Sequence, residues 1–332
     1  DLRMSRGLGD VYKRQIVIFV YLVLLFFFVE DNLVIFLIQS IYVFAAVFDI
    51  NWFFFGIEKF KLTVGRNTLV KILSVFLVLV FVKTQTDLWI YALILALSVF
   101  VGQSVVWFAL KQYVSWRRPS WANMKQHIRP LFVLFLPILA LSLYKYMDKI
   151  MLGSISSNVQ VGFYENAEKI INVPMSLIMA FGVVLMPRIA NMVTSKDKGE
   201  VFKLIDMSME AVMLLAIAIS FGLAGISFVL APIFFGYEFE ECGILIMGLA
   251  VTVPFMAFAN VIRTQYLIPY KEDKIFVVSL FLGAAVNLIV NIILIPYMAA
   301  RGAVIGTIFA EIIVCIYPVS YTHLRAHETC AD

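Results

Sequence analysis

The sequence predicts an all-α integral membrane protein with about ten transmembrane helices. Of its 332 residues, 62% are hydrophobic, 15% are aromatic and 14% are charged, and the mean hydropathy is +0.95. A soluble domain carries about 25% charged residues. The apolar residues here are gathered in long runs, and a helix needs roughly 20 such residues to cross a bilayer. A soluble core does not need so many runs of this length.

Ten runs are long and apolar enough to be predicted as spans, although the first and the third are short. Their bounds are 16–29, 33–56, 68–82, 88–110, 128–150, 160–187, 204–235, 242–269, 275–296 and 302–319.

Basic residues fix the predicted orientation, because lysine and arginine accumulate in cytoplasmic loops. They are concentrated in every second loop, namely 57–71, 111–129, 188–203 and 263–274. The intervening turns are poor in basic residues and include the acidic pair Glu30-Asp31. The basic loops are therefore predicted to be cytoplasmic, with both ends of the chain inside.

The loops exclude several classes of function. The longest, 111–127, is too short for a catalytic domain, and no phosphate-binding loop or HExxH motif occurs. Cys242, Cys315 and Cys330 lack metal-ligand spacing. We therefore expect a protein that is not an enzyme, with no cofactor and no metal. Because the basic residues lie in short loops between spans, we expect no nucleic-acid partner.

Loop 111–127 contains the sequence SWRRPSW, in which Trp116 and Trp121 flank two arginines. It is interpreted either as an interfacial linker between two helical bundles or as an ordinary surface loop with interfacial tryptophans.

Charged residues near the end of span five and the start of span six are the first candidate site. Lys145, Asp148 and Lys149 are spaced i, i+3 and i+4, which predicts one shared helical face. Span six begins with charged residues at the same spacing, namely Glu165, Glu168 and Lys169. Intramembrane charge costs about 2.5–3.5 kcal/mol per residue. The two clusters are either the wall of a hydrated cavity that contacts a charged substrate or neutralising pairs at the outer interface.

Four further polar residues lie within the predicted spans. Asp49 could bind a coupling cation or proton, or pair with a basic loop residue. Arg263 could hold a phosphate or extend to the inner head groups. Asn287 and Asn291, spaced i, i+4, are predicted to form hydrogen bonds between helices.

The two ends of the chain do not look native. Residue 1 is Asp, and residues 319–332 are a polar stretch that ends a span abruptly. Both ends resemble translated adapter sequence, so 1–15 and 319–332 are left out of the functional interpretation. Genuine cytoplasmic tails are the alternative.

Several stretches resemble polysaccharide flippases of the multidrug/oligosaccharidyl-lipid/polysaccharide exporter superfamily. They are DINWFFFGIEKFK from Asp49, FLPILALSLYKYMDKIMLG ending at Gly153, VGFYENAEKI, PRIANMVTSKDKGE and RGAVIGTIFAEII. The resemblance covers 16–318, and the DxxWFFFGxE and DKxMLG patterns carry most of it.

The resemblance implies a MATE-like fold truncated at both ends. Residues 16–110 would be the remnant of an N-terminal lobe, 111–127 the linker and 128–318 a complete C-terminal lobe. The implied function is flipping of undecaprenyl-diphosphate-linked oligosaccharide across the bacterial inner membrane by alternating access. Membrane lipids and a polysaccharide polymerase would be partners, and an ion gradient or membrane potential the energy source. Lys145, Lys149, Lys169 and Arg263 would face the diphosphate.

Other functions stay open. A drug or cation antiporter of the same superfamily would need a compact acidic site in place of lysines. A membrane polymerase or ligase that acts on the same lipid carrier would need a long external loop. A structural or channel-like bundle is a third possibility.

Overall fold

The computed structural model describes most of the apolar part of the chain. The described residues are 33–57, 59–110, 113–114, 139, 142, 144–194, 198–270 and 272–329. The predicted span 16–29, the start of span 128–150 and most of the predicted linker lie outside them. The chain divides into two compact units, Asp1–Phe135 and Leu136–Asp332.

The described part of the first unit contains four helices and one short 3-10 turn. They are α1 (Leu33–Val47), α2 (Asn51–Gly56), α3 (Phe60–Phe81), the 3-10 turn Gln85–Asp87 and α4 (Leu88–Leu110). Helix α4 packs against both α1 and α3. The predicted span 33–56 is therefore two helices, because the chain leaves the helical path between Val47 and Asn51.

The predicted basic loop 57–71 is wrong in its extent. Helix α3 already begins at Phe60 and includes Lys61, Arg66 and Lys71. The start of the helix was not predicted because the basic residues lower the mean hydropathy of this stretch. Arg66 is consequently a helical residue inside the unit, and its side chain is bonded there to other helices.

The second unit is a larger helical bundle. Its helices are α5 (144–155), α6 (Asn158–Thr194), α7 (Lys198–Phe235), α8 (Glu241–Ala250), α9 (Thr252–Val261), α10 (Asp273–Met298) and α11 (Ala300–Thr329). A 3-10 turn, Tyr237–Phe239, precedes α8, and a π-helical segment, Ile262–Leu267, follows α9.

Helices α6 and α7 extend well beyond a bilayer. They contain 37 and 38 residues, which corresponds to about 55 Å at 1.5 Å per residue. The predicted loop 188–203 is therefore also too long, because its residues continue both helices as far as Thr194 and from Lys198. The prolines inside α6, Pro174 and Pro187, do not end it.

The segment from Glu241 to Leu267 lies at the centre of the second unit. Its most apolar stretch is 56% buried, compared with 22% for the corresponding stretches of α6 and α7. Leu245, Ile246 and Ala257 of this segment belong to the main hydrophobic core. Burial of more than half of this stretch is consistent with its apolar composition.

Helices α10 and α11 form a tight antiparallel hairpin. The turn between them places Ala299 at φ 47°. A Cβ on Gly302 would lie only 2.7 Å from the backbone carbon of Leu294, so the absence of a side chain lets the two helices approach closely. Helix α11 continues as far as Thr329, through most of the 319–332 tail that was set aside as non-native.

Eight helical segments in the described residues are long and apolar enough to span a membrane. They correspond to eight of the ten predicted spans. The other two, 16–29 and 128–150, lie outside the described residues or are described only in part. The prediction of an all-α membrane protein is confirmed.

Candidate functional site

The buried carboxylate of Asp148 lies at the meeting point of four helices of the second unit. Asn287 and Asn291 of α10 each donate from Nδ2 to its Oδ1, at 2.9 and 2.6 Å. The hydroxyl of Tyr164 on α6 donates to Oδ2 at 2.9 Å. The hydroxyl of Thr307 on α11 lies 3.0 Å from the same oxygen. Only 5% of Asp148 is exposed, and both of its oxygens are satisfied by side-chain donors.

Close packing around Asn291 completes this cluster. Its Nδ2 also donates to Asn287 Oδ1 at 3.1 Å, as the i, i+4 spacing of the two residues allows. A Cβ on Gly306 would overlap with the Oδ1 of Asn291, so a glycine is needed there. The prediction that both asparagines form hydrogen bonds between helices is confirmed.

Lys145, Asp148 and Lys149 lie on one helix at the predicted spacing but differ in burial. Asp148 points into the bundle, whereas Lys145 is exposed and Lys149 is half-buried. The reason is that Asp148 has uncharged donors on three neighbouring helices, while Lys149 finds its counter-charge on α6. The spacing i, i+3, i+4 covers an arc wide enough to have one end inside and the other at the surface.

The charged residues of α5 and α6 pair across and along the helices. Lys149 Nζ lies 2.8 Å from Glu168 Oε2, and both side chains are largely buried. Lys169 pairs with Glu165 at 3.5 Å on the exposed surface of α6. Lys145 forms no ion pair with any carboxylate in the described ranges; its Nζ lies 5.9 Å from the ring centroid of Tyr146.

Arg263 lies in the π-helical segment and contacts α10. Its guanidinium carbon is 4.4 Å from the ring centroid of Phe276, a distance at which cation–π attraction is substantial. Two residues further on, the buried Gln265 donates to Ser208 Oγ at 2.6 Å. Arg263 therefore lies in a different part of the second unit's helices from Lys149 and Glu168, and the structure does not join them into one cluster.

Asp49 lies at the break between α1 and α2 in the first unit. Its Oδ1 accepts the backbone N–H of Asn51 at 3.0 Å, at the start of α2. Arg66 donates to the Oδ1 of the same Asn51 at 3.0 Å. Pairing of Asp49 with a basic residue stays a prediction, as does its role in ion coupling.

Two polar residues that the structure places among the helices, Arg66 and Glu311, were not identified from the sequence. Arg66, taken as a loop residue, donates to Gly102 O at 2.7 Å and to Asn51 Oδ1 at 3.0 Å. Glu311 on α11 is only 6% exposed and lies beside Tyr144. A carboxylate inside the apolar run 302–319 was the signal that could have identified Glu311, because acids within spans are rare and functional or paired.

The described charged residues of α5 and α6 form two ion pairs, and Asp148 is held by side-chain hydrogen bonds. The described residues contain no group of three or more His, Cys, Asp and Glu side chains that could hold a metal ion. The pairs Lys149–Glu168 and Lys169–Glu165 lie on α5 and α6, and Tyr146 is close to Lys149.

Relatives of this chain have names that refer to transport of glycan precursors. It is 24% identical over 296 residues to a protein of Shigella dysenteriae named as an O-antigen transporter, covering 85% of this chain and 71% of the relative. It is 29% identical over 192 residues to the lipid II flippase MurJ of Bacillus subtilis (strain 168), covering 54% of this chain and 35% of the relative.

Solved structures show the same fold. The lipid II flippase MurJ in an inward closed conformation has a TM-score of 0.76 at 14% identity, with 97% of this chain and 72% of that chain covered. An outward-facing multidrug-resistance MATE transporter has a TM-score of 0.58 at 14% identity, covering 97% and 78%. The prediction of a MATE-like fold is confirmed.

The family model described as polysaccharide biosynthesis protein matches residues 14–193. That range includes all of the described helices of the first unit together with α5 and almost all of α6, and hence the Lys149–Glu168 pair. The chain therefore belongs to the polysaccharide biosynthesis protein family of membrane flippases.

Proposed function

We propose that this protein flips a polyprenyl-diphosphate-linked oligosaccharide, in bacteria the undecaprenyl-linked form, across the cytoplasmic membrane for polysaccharide biosynthesis. The single observation that carries the proposal is the surface formed by α5 and α6. There, Lys145 and Lys169 are exposed, and the Lys149–Glu168 pair lies beside them. Ionised side chains at the surface of a membrane-spanning helix need water around them.

A hydrated surface of this kind addresses the physical problem of flipping. A saccharide–diphosphate head group loses its hydration in hydrocarbon and cannot cross unaided. A polar path across the membrane lets the head group stay solvated while the apolar tail remains in lipid. Alternating access, in which one helical bundle moves against another, would open that path to each side in turn.

The other predicted residues keep their assigned roles within this proposal. Arg263 would contribute positive charge near the inner end of the path, and Asp49 would take part in ion coupling. A polysaccharide polymerase would receive the flipped product, and the basic turns would lie in the cytoplasm. These assignments rest on the sequence pattern and on the resemblance to the family.

A proteoliposome assay tests the proposed function. The protein is reconstituted with a polyprenyl-diphosphate-linked oligosaccharide, and an impermeant sugar-modifying enzyme is added outside. Without flipping, the enzyme modifies only the lipid of the outer leaflet. With the protein present, we expect it to modify nearly all of the lipid. Protein-free vesicles are the control. A chain that leaves the inner-leaflet pool intact but exchanges organic cations for protons or sodium ions would be an antiporter, and the flippase proposal would be withdrawn.

A further inference from the structure

Tyr146 of α5 is an exposed aromatic residue flanked by two ammonium groups. Half of the residue is exposed, at 50%. The Nζ of Lys145 is 5.9 Å from the ring centroid and that of Lys149 is 5.8 Å from it. Both distances lie within the range of cation–π attraction, so the lysines help to hold the ring in place. We call Lys145, Tyr146 and Lys149 the Tyr146 platform.

The charge of the Tyr146 platform is only partly neutralised. Lys149 is paired with Glu168 at 2.8 Å, and the nearby Lys169 is paired with Glu165. The one nearby carboxylate on α5, Asp148, is turned inward and bonded to four uncharged side chains. Lys145 thus adds one positive charge that no carboxylate in the described part of the chain offsets.

The platform lies well below the outer ends of its helices. Tyr146 is nine residues before the end of α5 at residue 155, or about 14 Å along the axis. Glu168 is ten residues inside α6, which begins at Asn158, or about 15 Å. Lysine at that depth is costly in contact with lipid. The inference therefore requires water at the surface that carries the platform.

The chemistry of the platform matches one part of the proposed substrate. The C–H face of a pyranose ring packs on an exposed aromatic ring, while its hydroxyls bond to groups at the ring edge. Lys149, which lies 5.8 Å from the ring centroid, and its partner Glu168 provide a donor and an acceptor for those hydroxyls. Lys145, whose charge no carboxylate in the described ranges offsets, suits a phosphate. An organic cation would meet that same positive charge and be repelled.

We infer that the Tyr146 platform is the subsite for the first sugar and the adjoining phosphate of the lipid-linked substrate. The Tyr146 ring stacks on the sugar, and the Lys145 ammonium binds the phosphate. The inference rests on the proposed flippase function and specifies which part of the head group this surface recognises.

Binding to two lipids tests the inference. The full chain in nanodiscs is titrated with a polyprenyl diphosphate that carries sugar and with the same lipid lacking sugar. Tyr146→Leu should weaken binding of the glycosylated lipid about fivefold to tenfold, the size expected for one aromatic contact. Binding of the bare diphosphate should not change. Tyr146→Phe, which keeps the ring, should bind as the parent does, and Lys145→Gln should weaken binding of both lipids.

Controls separate the possible failures. Ile150, one turn away on α5 and 64% exposed, is replaced by alanine and should leave both affinities unchanged. If the parent protein binds neither lipid and does not flip, the proposed function itself fails. If the parent binds and flips the glycosylated lipid but Tyr146→Leu binds it equally well, only the platform is wrong. Equal weakening of both lipids by Tyr146→Leu would also overturn the inference, because it would indicate a packing role.

Discussion

Single buried polar residues hold the second unit together. Asp148 links α5 to α6, α10 and α11 by accepting side-chain hydrogen bonds from all three. Without the carboxylate, each of these groups would lose a hydrogen bond in an apolar surrounding, where such a loss is costly. The carboxylate is therefore a structural centre, whatever part it also takes in transport.

Removing the carboxylate should destabilise the protein strongly. Asp148→Ala leaves several buried donors unpaired, and each unpaired group costs about 1–3 kcal/mol. We expect the melting temperature in detergent to fall by at least about 5 °C. Asp148→Asn should lose less, because its side-chain oxygen still accepts hydrogen bonds and hydroxyl groups can accept from its amide. Glu238→Gln, in an exposed turn, is the matched control; a fall of equal size in that variant would refute the explanation.

Helices α10 and α11 approach each other closely at two glycines of α11. Gly302 meets the backbone near Leu294, and Gly306 lies against the side chain of Asn291. A hairpin this tight brings Asn287, Asn291 and Thr307 within bonding distance of Asp148. The glycines of α11 and the polar cluster are therefore parts of one arrangement.

Adding a methyl group at Gly306 tests whether the close contact with Asn291 matters for stability. Gly306→Ala should displace Asn291 and cost about 1–3 kcal/mol, as overpacking does. Gly222→Ala on α7 is the matched control, since a Cβ there meets nothing within 4 Å. That control should keep or slightly raise stability, because alanine is the better helix former. Thermal unfolding of both variants followed by size-exclusion chromatography gives the comparison; equal stability of the two would contradict the packing argument.

The break between α1 and α2 is held by Arg66 and Trp107. The indole of Trp107 donates to the carbonyl of Phe48, just after the end of α1, at 2.8 Å. Arg66 links Asn51 of α2 to the carbonyl of Gly102 on α4. Asn51 also donates to Gln103 at 3.2 Å.

A lysine should not replace Arg66. The two bonds of Arg66 use separate nitrogens of a planar fork, which a single ammonium cannot reproduce. We expect Arg66→Lys to lower the melting temperature nearly as much as Arg66→Ala does. Lys71→Ala, an exposed position on the same helix, should have little effect. If Arg66→Lys is as stable as the parent, the charge alone matters and the fork geometry does not.

At the scale of the whole molecule, the turns between helices should alternate across the membrane. Single cysteines are introduced into a cysteine-free parent at Lys59 and Lys274, and at Thr84, Ser157 and Tyr237. An impermeant thiol reagent should label the last three in intact cells and the first two only after the inner membrane is opened. Labelling of positions 59 and 84 from the same side would refute the orientation.

Sequence alone determined the class of the molecule and the place of most helices. The physical reason is that hydrocarbon requires long apolar helices with every backbone group bonded, which hydropathy reveals. It also identified Asn287 and Asn291 as bonding residues from their spacing. Helix starts were less certain: α3 begins at Phe60, well before the predicted 68, because charged residues continue helices past the apolar stretch.

Only the tertiary structure decided which charged residues act together. Lys145, Asp148 and Lys149 are neighbours in sequence, yet Asp148 is buried among α6, α10 and α11, Lys149 is half-buried and Lys145 is exposed. The partners of Asp148 stand up to 159 positions away in the chain. Periodicity shows which way residues of one helix point relative to each other. It does not show which other helix offers a hydrogen-bond donor. A charged side chain can be buried only where such donors are available.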